Sequence, residues 1–179
     1  MPDAADRALV SVATAYRYFT SADVLWAEAS TTAYEQTVAE AHQRIDAAGT
    51  DPQARLEALI RSTGFQMLDD QVPYRRIARS ALDLWFRQQS LPDEEPVPVR
   101  RGRRNEQIRK VVAPLADVLT EAEVDQLCHA LGLLIGVEPM ISLVDAVGLD
   151  IPDAKQTMLN AARWMLTGAL AELATAKTQ

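Results

Sequence analysis

Helical periodicity runs through almost all of the 179 residues, and it restricts the fold more than any other feature of the sequence. Apolar residues recur every three or four positions, as in the stripe formed by Leu56, Leu59, Ile60, Thr63 and Met67. No run alternates with a period of two for long enough to indicate a strand. A hydrophobic content of 48% with only seven glycines argues against disordered and fibrous classes. We therefore predict an all-α protein.

Capping residues predict where several helices begin and end. Ser21 is expected to cap a long helix that ends at Gly49, and Asp51-Pro52 to start the next one. Thr120 and Glu123 have the spacing of a capping box. Pro73 is expected to open a helix on which Ile77, Ala81, Leu84 and Trp85 face inward, and residues 90–99 are expected to form a loop. The next helix should begin near Asn105, with an irregularity near Pro114. One helix should run from 120 to about 147, and the last helix should start at Ile151-Pro152.

The composition favours a cytoplasmic protein. Cys128 is the only cysteine, so no internal disulfide can form, which fits a reducing compartment. The N-terminal residues lack the apolar run of a secretory signal. The longest apolar stretch, residues 127–137, is too short to span a bilayer. We therefore expect a soluble chain with no membrane partner.

Sequence motifs for catalysis, cofactors or metals were not found. His42 and His129 are the only histidines and lie in different predicted helices. The chain has no glycine-rich phosphate loop and no H-E-x-x-H zinc motif. We therefore expect a protein that is not an enzyme and that uses no cofactor or metal.

The segment SVATAYRYFTSADVLWAEAS, residues 11–30, supports a functional hypothesis. Its hydroxyl side chains, tyrosines and arginine on a short helix suit contacts with phosphates and base edges. Residues 8–19, ALVSVATAYRYF, followed by Leu25, resemble the recognition helix and turn of TetR-family transcriptional regulators. The resemblance implies DNA contacts from Ser11, Thr14, Tyr16, Arg17 and Tyr18. The alternative is an amphipathic helix end whose tyrosines pack on a core.

The resemblance also implies an organisation for the whole chain. Residues 1–20 would form a partial helix-turn-helix, 21–49 a connecting helix, and 50–179 a TetR-like ligand-binding and dimerisation domain. The expected partners are operator DNA and a small-molecule effector of unknown identity. Effector binding would change the spacing of two DNA readers in a homodimeric repressor.

Three features differ from the family pattern. Leu9 stands at the turn position where the family usually has glycine, and we expect it to strain the turn. Ala22 stands where the family commonly has a lysine that can reach a phosphate. The family also has a helix before the reader, so we expect the protein to start upstream of Met1. The alternative is a DNA-incompetent small-molecule-binding or interaction protein on the same scaffold.

Charge limits where nucleic acid can bind. The net charge of −7 argues against a surface that is basic all over. In residues 1–20, two arginines balance two aspartates, so the predicted reader is neutral. Residues 100–110 carry six cations and one acid, a charge of +5. This run is interpreted either as a second nucleic-acid patch or as a solvated helix start that pairs with nearby acids.

The last two helices have more apolar surface than one helix face requires. In the helix from 120, the two opposite apolar faces are Leu127, Leu131, Leu134 and Ile135 on one side, and Leu133, Val137, Met140, Val144 and Val147 on the other. On the last helix, Ala161, Gly168 and Ala171 form a small-residue lane beside Trp164. A helix that is apolar on both sides must be covered on both sides. We predict a two-fold symmetric four-helix bundle between two copies, the alternative being ordinary monomer core.

Ligand contacts are expected between residues 52 and 147. The candidates are aromatic or pliable side chains that suit an apolar ligand, namely Phe65, Met67, Trp85, Phe86 and Met140. Glu138 and Asp145 share an apolar helix face, where buried acids need partners. One interpretation of the two acids is recognition of a cationic or polar ligand, which makes Glu138 a candidate ligand-binding residue. The alternative is a structural salt bridge to Arg76, Arg79 or the run 100–110.

Overall fold

The computed structural model describes residues 1–19, 22–90 and 103–176, and gives only the backbone for 23, 24, 26–35, 103 and 176. Helices make up 84% of it, and no strand occurs in the described ranges. This confirms the prediction of an all-α protein. By its internal contacts the chain divides into two compact units, Met1–Ala39 and Glu40–Gln179.

The first unit contains two short helices and most of a long one. These are α1 (Pro2–Arg7), α2 (Val12–Tyr18) and α3 (Ala22–Ala47), whose last turns belong to the second unit. The Thr14 amide donates to the Ser11 hydroxyl at 3.0 Å, so Ser11 caps α2. α1 and α2 contact each other, and each buries one alanine, Ala5 and Ala15. The predicted cap Ser21 lies outside the described residues.

The first half of the second unit follows the predicted boundaries closely. It contains α4 (Pro52–Leu59), a π-helix (Ile60–Gly64), α5 (Phe65–Asp69) and α6 (Gln71–Gln89). The carboxylate of Asp51 accepts hydrogen bonds from the amides of Gln53 and Ala54, which confirms the predicted start of α4. α6 begins two residues before the predicted Pro73. From residue 91 onward, the loop predicted for 90–99 lies outside the described residues.

The second half contains α7 (Arg103–Val112), a 3₁₀ turn at Ala113–Leu115, α8 (Glu121–Gly132), α9 (Val137–Ile141), a second π-helix (Ser142–Ala146) and α10 (Ile151–Ala176). The capping box is present: the Thr120 amide donates to the Glu123 carboxylate at 2.6 Å, and the Glu123 amide donates to the Thr120 hydroxyl at 3.3 Å. α7 begins two residues before the predicted Asn105.

The predicted single helix from 120 to 147 is interrupted at residues 133–136. Gly136 has a φ of 137°, which favours glycine, and the Arg104 side chain lies against it. Arg104 donates to the Gly132 carbonyl at 3.1 Å and to Glu138 at 2.9 Å. The apolar pattern concealed this break because both helices, α8 and α9, enter the same core.

The core lies in the second unit and confirms most of the predicted stripe on α4. Its fully buried side chains include Ile45, Leu56, Leu59, Ile60, Leu68, Ile108, Leu131, Met140 and Leu166. On α6 the inward prediction is right for Ala81 but wrong for Ile77 and Trp85, which are 36% and 46% exposed. No residue from Leu82 to Ser90 is buried, whereas Ala78 and Ala81, which precede them on α6, are.

The segment Glu121–Ala146 is long and apolar enough to cross a membrane by length and composition alone, with a mean hydropathy of 1.8. Of its most apolar window, 44% is buried inside the protein. Leu127, Leu131 and Met140 belong to the core, and the turn at 133–136 interrupts the helix. These features are typical of core helices.

Candidate functional site

The turn between α1 and α2 is a Schellman motif, a common way to end a helix. The Leu9 amide donates to the Asp6 carbonyl, and the Val10 amide donates to the Ala5 carbonyl, both at 3.0 Å. The motif needs a left-handed residue after the cap, and Leu9 takes that conformation with a φ of 55°. It is the only non-glycine with positive φ in the described ranges, and it is 93% exposed. Leucine in place of glycine therefore strains this turn, by about 1–2 kcal/mol.

α2 presents outward most of the side chains for which DNA contacts are predicted. Tyr16 is 50% exposed and Tyr18 is 71% exposed, so neither is a core residue of this unit. The Arg17 guanidinium carbon lies 5.4 Å from the centre of the Tyr18 ring. The hydroxyls of Ser11 and Thr14 lie 2.8 Å apart and hydrogen-bond to each other. The exposed surface of α2 thus combines two phenols and one guanidinium.

The residues predicted to bind a ligand occupy different environments. Met140 is fully buried, while Phe65 and Met67 are partly buried against the core. Trp85 and Phe86 are exposed on α6 and pack edge to face with ring centres 5.0 Å apart. Their role in ligand binding stays a prediction.

Glu138 and Asp145 are not buried, contrary to the prediction. Both are about half exposed and lie in ion pairs. Arg75 donates to both oxygens of Asp145, at 2.6 and 2.7 Å, and its guanidinium holds the pKa of that carboxyl below the ordinary value. Glu138 pairs with Arg104, a member of the basic run. Both carboxylates therefore form structural salt bridges, as the alternative predicted, although Asp145 pairs with Arg75 rather than with Arg76 or Arg79.

Arg55 is a buried side chain with four hydrogen bonds that the sequence analysis did not identify. It is 7% exposed, and it donates to four backbone carbonyls that belong to the last turns of α3 and α7 and the residues after them. The acceptors are Ile45 at 3.2 Å, Gly49 at 2.6 Å, Lys110 at 2.7 Å and Val111 at 3.1 Å. A cation is favourable there because helix C-termini carry unpaired carbonyls and partial negative charge. The available signal was an arginine four residues before Leu59, at a buried position of α4.

Next to this group, Lys110 and Asp46 form a second link between α7 and α3. Their charged atoms lie 2.8 Å apart, and the hydrogen bond from Lys110 lowers the pKa of the Asp46 carboxyl. Arg55 and Lys110 thus connect the C-terminal turn of α3 to α4 and α7.

A cleft of about 170 Å³ lies between α4 and α10. It is lined by Gln53, Glu57, Arg61, Gln156, Leu159, Asn160, Ala162 and Arg163, which include none of the predicted ligand residues. Sequence reasoning missed it because its polar residues lie on solvent-facing helix positions, where charges are ordinary.

A metal site and a reactive thiol find no support in the described part of the chain. No group of three His, Cys, Asp or Glu side chains there is placed to hold a metal ion. Cys128 is buried, and desolvation raises the pKa of its thiol, so the reactive thiolate is disfavoured.

Neither a family model, nor a curated protein, nor a solved structure matches this chain.

Proposed function

We propose that the protein is a soluble, ligand-responsive, DNA-binding transcriptional regulator of the TetR type, a repressor that acts as a homodimer. Under this proposal α2 is the DNA reader, α3 the connecting helix, and the second unit the effector-binding and dimerising part. The effector and the operator sequence stay unidentified.

The observation that carries the proposal is the α1–turn–α2 unit and the side chains it displays. A Schellman turn places two short helices against each other, as a helix-turn-helix requires. The second helix leaves Tyr16, Arg17 and Tyr18 in solvent. Phenol and guanidinium groups are donors for phosphate oxygens and base edges, and exposed tyrosines on so short a helix contribute little to a core.

Exposed apolar residues in the last helices support the dimer. Leu133, Val147 and Trp164 are 72%, 62% and 65% exposed. Around Gly168 the surface is open, because an added Cβ would meet nothing within 4 Å. Large apolar side chains beside small ones suit close helix packing against a second copy.

The alternative is a small-molecule-binding or interaction protein that does not bind DNA. Two observations favour it. The α1–α2 segment has no net charge, whereas non-specific affinity for DNA depends on cations. Leu9, Val10 and Val12 are also exposed beside the predicted reader.

The test is fluorescence anisotropy with labelled DNA from the protein's own promoter, at two salt concentrations and against random DNA. Because the resemblance implies a helix before residue 2, a version extended in frame upstream of Met1 is measured in parallel. Tyr16→Phe and Arg17→Gln should each weaken specific binding by about tenfold or more, the loss of a hydrogen bond to a base or phosphate. Arg87→Gln is the matched control, since Arg87 is an exposed arginine on α6.

Specific binding that Tyr16→Phe and Arg17→Gln weaken and Arg87→Gln does not would support the regulator. Binding that Arg17→Gln and Arg87→Gln weaken equally, and that Tyr16→Phe leaves unchanged, would mean a non-specific charge effect and would count against α2 as the reader. Absence of binding by both versions of the chain would refute the DNA-binding function and leave the alternative. Light scattering on the protein and on Trp164→Glu tests the dimer separately, because a charge at that position should release monomers.

A further inference from the structure

The cleft between α4 and α10 brings together side chains from about two turns of α10 and from the α4 region. Gln156, Asn160 and Arg163 follow one another along α10 and form a hydrogen-bonded row. The Gln156 amide donates to the Asn160 side-chain oxygen at 3.1 Å, and Arg163 donates to the same oxygen at 3.4 Å. Opposite this row lie Glu57 and Arg61.

The two arginines of the cleft are in different states. Arg61 directs its Nε and one Nη donor to a single oxygen of Glu57, at 2.8 and 2.6 Å. Arg163 has no ion-pair partner in the described part of the chain, and its bond to Asn160 is long for a hydrogen bond. With Glu57 counted, the cleft has a formal charge of +1 in a chain of net charge −7.

We propose that this cleft binds a small carboxylate-containing molecule, with Arg163 as its main anchor. An arginine binds a carboxylate through two parallel N–H donors, and this geometry is available to a guanidinium without an acidic partner. The Asn160 side-chain nitrogen adds a neutral donor, because its oxygen already accepts two bonds. Leu159 and the fully buried Ala162 contribute apolar lining for a short carbon chain.

The size of the cleft restricts the ligand. Sites for drug-sized molecules measure about 300–1,000 Å³, whereas this one measures about 170 Å³. A short dicarboxylate or an amino acid is therefore a better match than a large aromatic effector. That the bound molecule acts as an effector would rest on the regulator proposed above, whereas the binding itself does not.

The experiment is a titration of the ¹⁵N-labelled chain with succinate at constant ionic strength, without DNA, followed by NMR. Succinamide, which has the same carbon chain without charge, and sulfate are titrated in parallel. Succinate should shift the side-chain amide signals of Gln156 and Asn160 in a saturable way. Arg163→Gln should raise the dissociation constant by about tenfold or more, since a charge-assisted bond is lost. Arg163→Lys should recover part of it, and Arg87→Gln should change nothing.

Three results would overturn the proposal. Equal shifts with succinamide would show that the carboxylate is not recognised. Equal shifts with sulfate would mean an adventitious anion only, and shifts that do not saturate would mean no site. Each result leaves the DNA measurement unaffected, so failure here and failure of the DNA reader can be told apart.

Discussion

Replacing Arg55 by methionine tests whether one buried guanidinium holds three helices together. Methionine has a similar length and no hydrogen-bond donor, so the substitution removes four bonds of 2.6–3.2 Å and leaves their carbonyl acceptors behind. Water can replace the donor at Gly49 and Lys110, where the contacts are partly exposed, but not readily at Ile45 and Val111, where they are buried.

The expected cost follows mainly from the buried Val111 carbonyl, because the Ile45 carbonyl keeps a hydrogen bond from the Ala48 amide at 3.3 Å. Each buried group without a partner costs about 1–3 kcal/mol, and the loss of a cation at two helix C-termini adds about 0.3–1 kcal/mol at each. We expect the free energy of unfolding to fall by about 2–5 kcal/mol. Arg55→Lys should recover part of the loss, since an ammonium group keeps the charge but cannot reach four acceptors in one plane.

The assay is urea denaturation followed by circular dichroism, with the slope against urea compared between variants. Arg61→Met is the control, because it removes an arginine of the same region whose pair with Glu57 is about half exposed, and it should cost less than about 1 kcal/mol. If Arg55→Met costs no more than Arg61→Met, at an unchanged slope, the argument that these carbonyl bonds hold α3, α4 and α7 together is wrong.

Three further predictions concern single positions. Leu9→Gly should stabilise the α1–α2 turn by about 1 kcal/mol, because glycine adopts a positive φ without strain and the exposed leucine side chain contributes little packing. Hydrogen exchange of the residue 10 amide should slow by about fivefold, and Leu9→Ala should not slow it. Gly136→Ala should destabilise the protein by about 1–3 kcal/mol in thermal denaturation, because alanine is strained at a φ of 137° and its Cβ would displace the Arg104 guanidinium that pairs with Glu138. A melting temperature like the wild type's would contradict this. Asp145 should titrate below its ordinary pKa of 3.8, and Arg75→Gln should raise that pKa. Because the pKa is lower in the folded state, the ion pair stabilises the fold at pH values above 3.8, and this stabilisation should be lost as the pH falls through the folded-state pKa. An NMR titration that finds the same Asp145 pKa in both proteins would refute the ion pair.

Local sequence signals predicted the helix boundaries well, since each depends on a few neighbouring residues. Asp51, Thr120 and Glu123 cap helices as expected, because a cap satisfies amides only two or three residues away, and Pro52 is the first residue of α4. The end of the long helix at Gly49 likewise follows from one residue with positive φ.

Features that depend on distant residues could not be predicted in the same way. The pattern places Met67 on the buried stripe of one helix predicted to start at Pro52, but Leu68 is the fully buried residue, because the π-helix at 60–64 adds a residue to the turn. A period of 3.6 cannot show this change, which the hydroxyls of Ser62 and Thr63 support by donating to the carbonyls of Ala58 and Leu59 at 2.6 and 2.8 Å.

The sequence predicted the part of the candidate site that consecutive residues form, but not the part that residues from different helices form together. The outward face of α2 follows from a dozen consecutive residues, and the strain expected at Leu9 is present as a positive φ. Glu138 and Asp145 were expected to be buried because their neighbours in sequence are apolar. Instead Glu138 pairs with Arg104 and Asp145 with Arg75, from helices that are 34 and 70 residues away in sequence. No spacing rule selects Arg75 over Arg76.

The two π-helices also determine where the chain can change its length. Inserting or deleting one residue in a regular α-helix turns every later side chain by about 100° and exposes what was buried. A π-helix already holds one residue more than an α-helical turn, so deleting one residue within 60–64 or 142–146 would restore an ordinary turn and keep the later faces in place. Related proteins one residue shorter at either point are therefore compatible with the same core, whereas the same deletion within α8 or α10 is not.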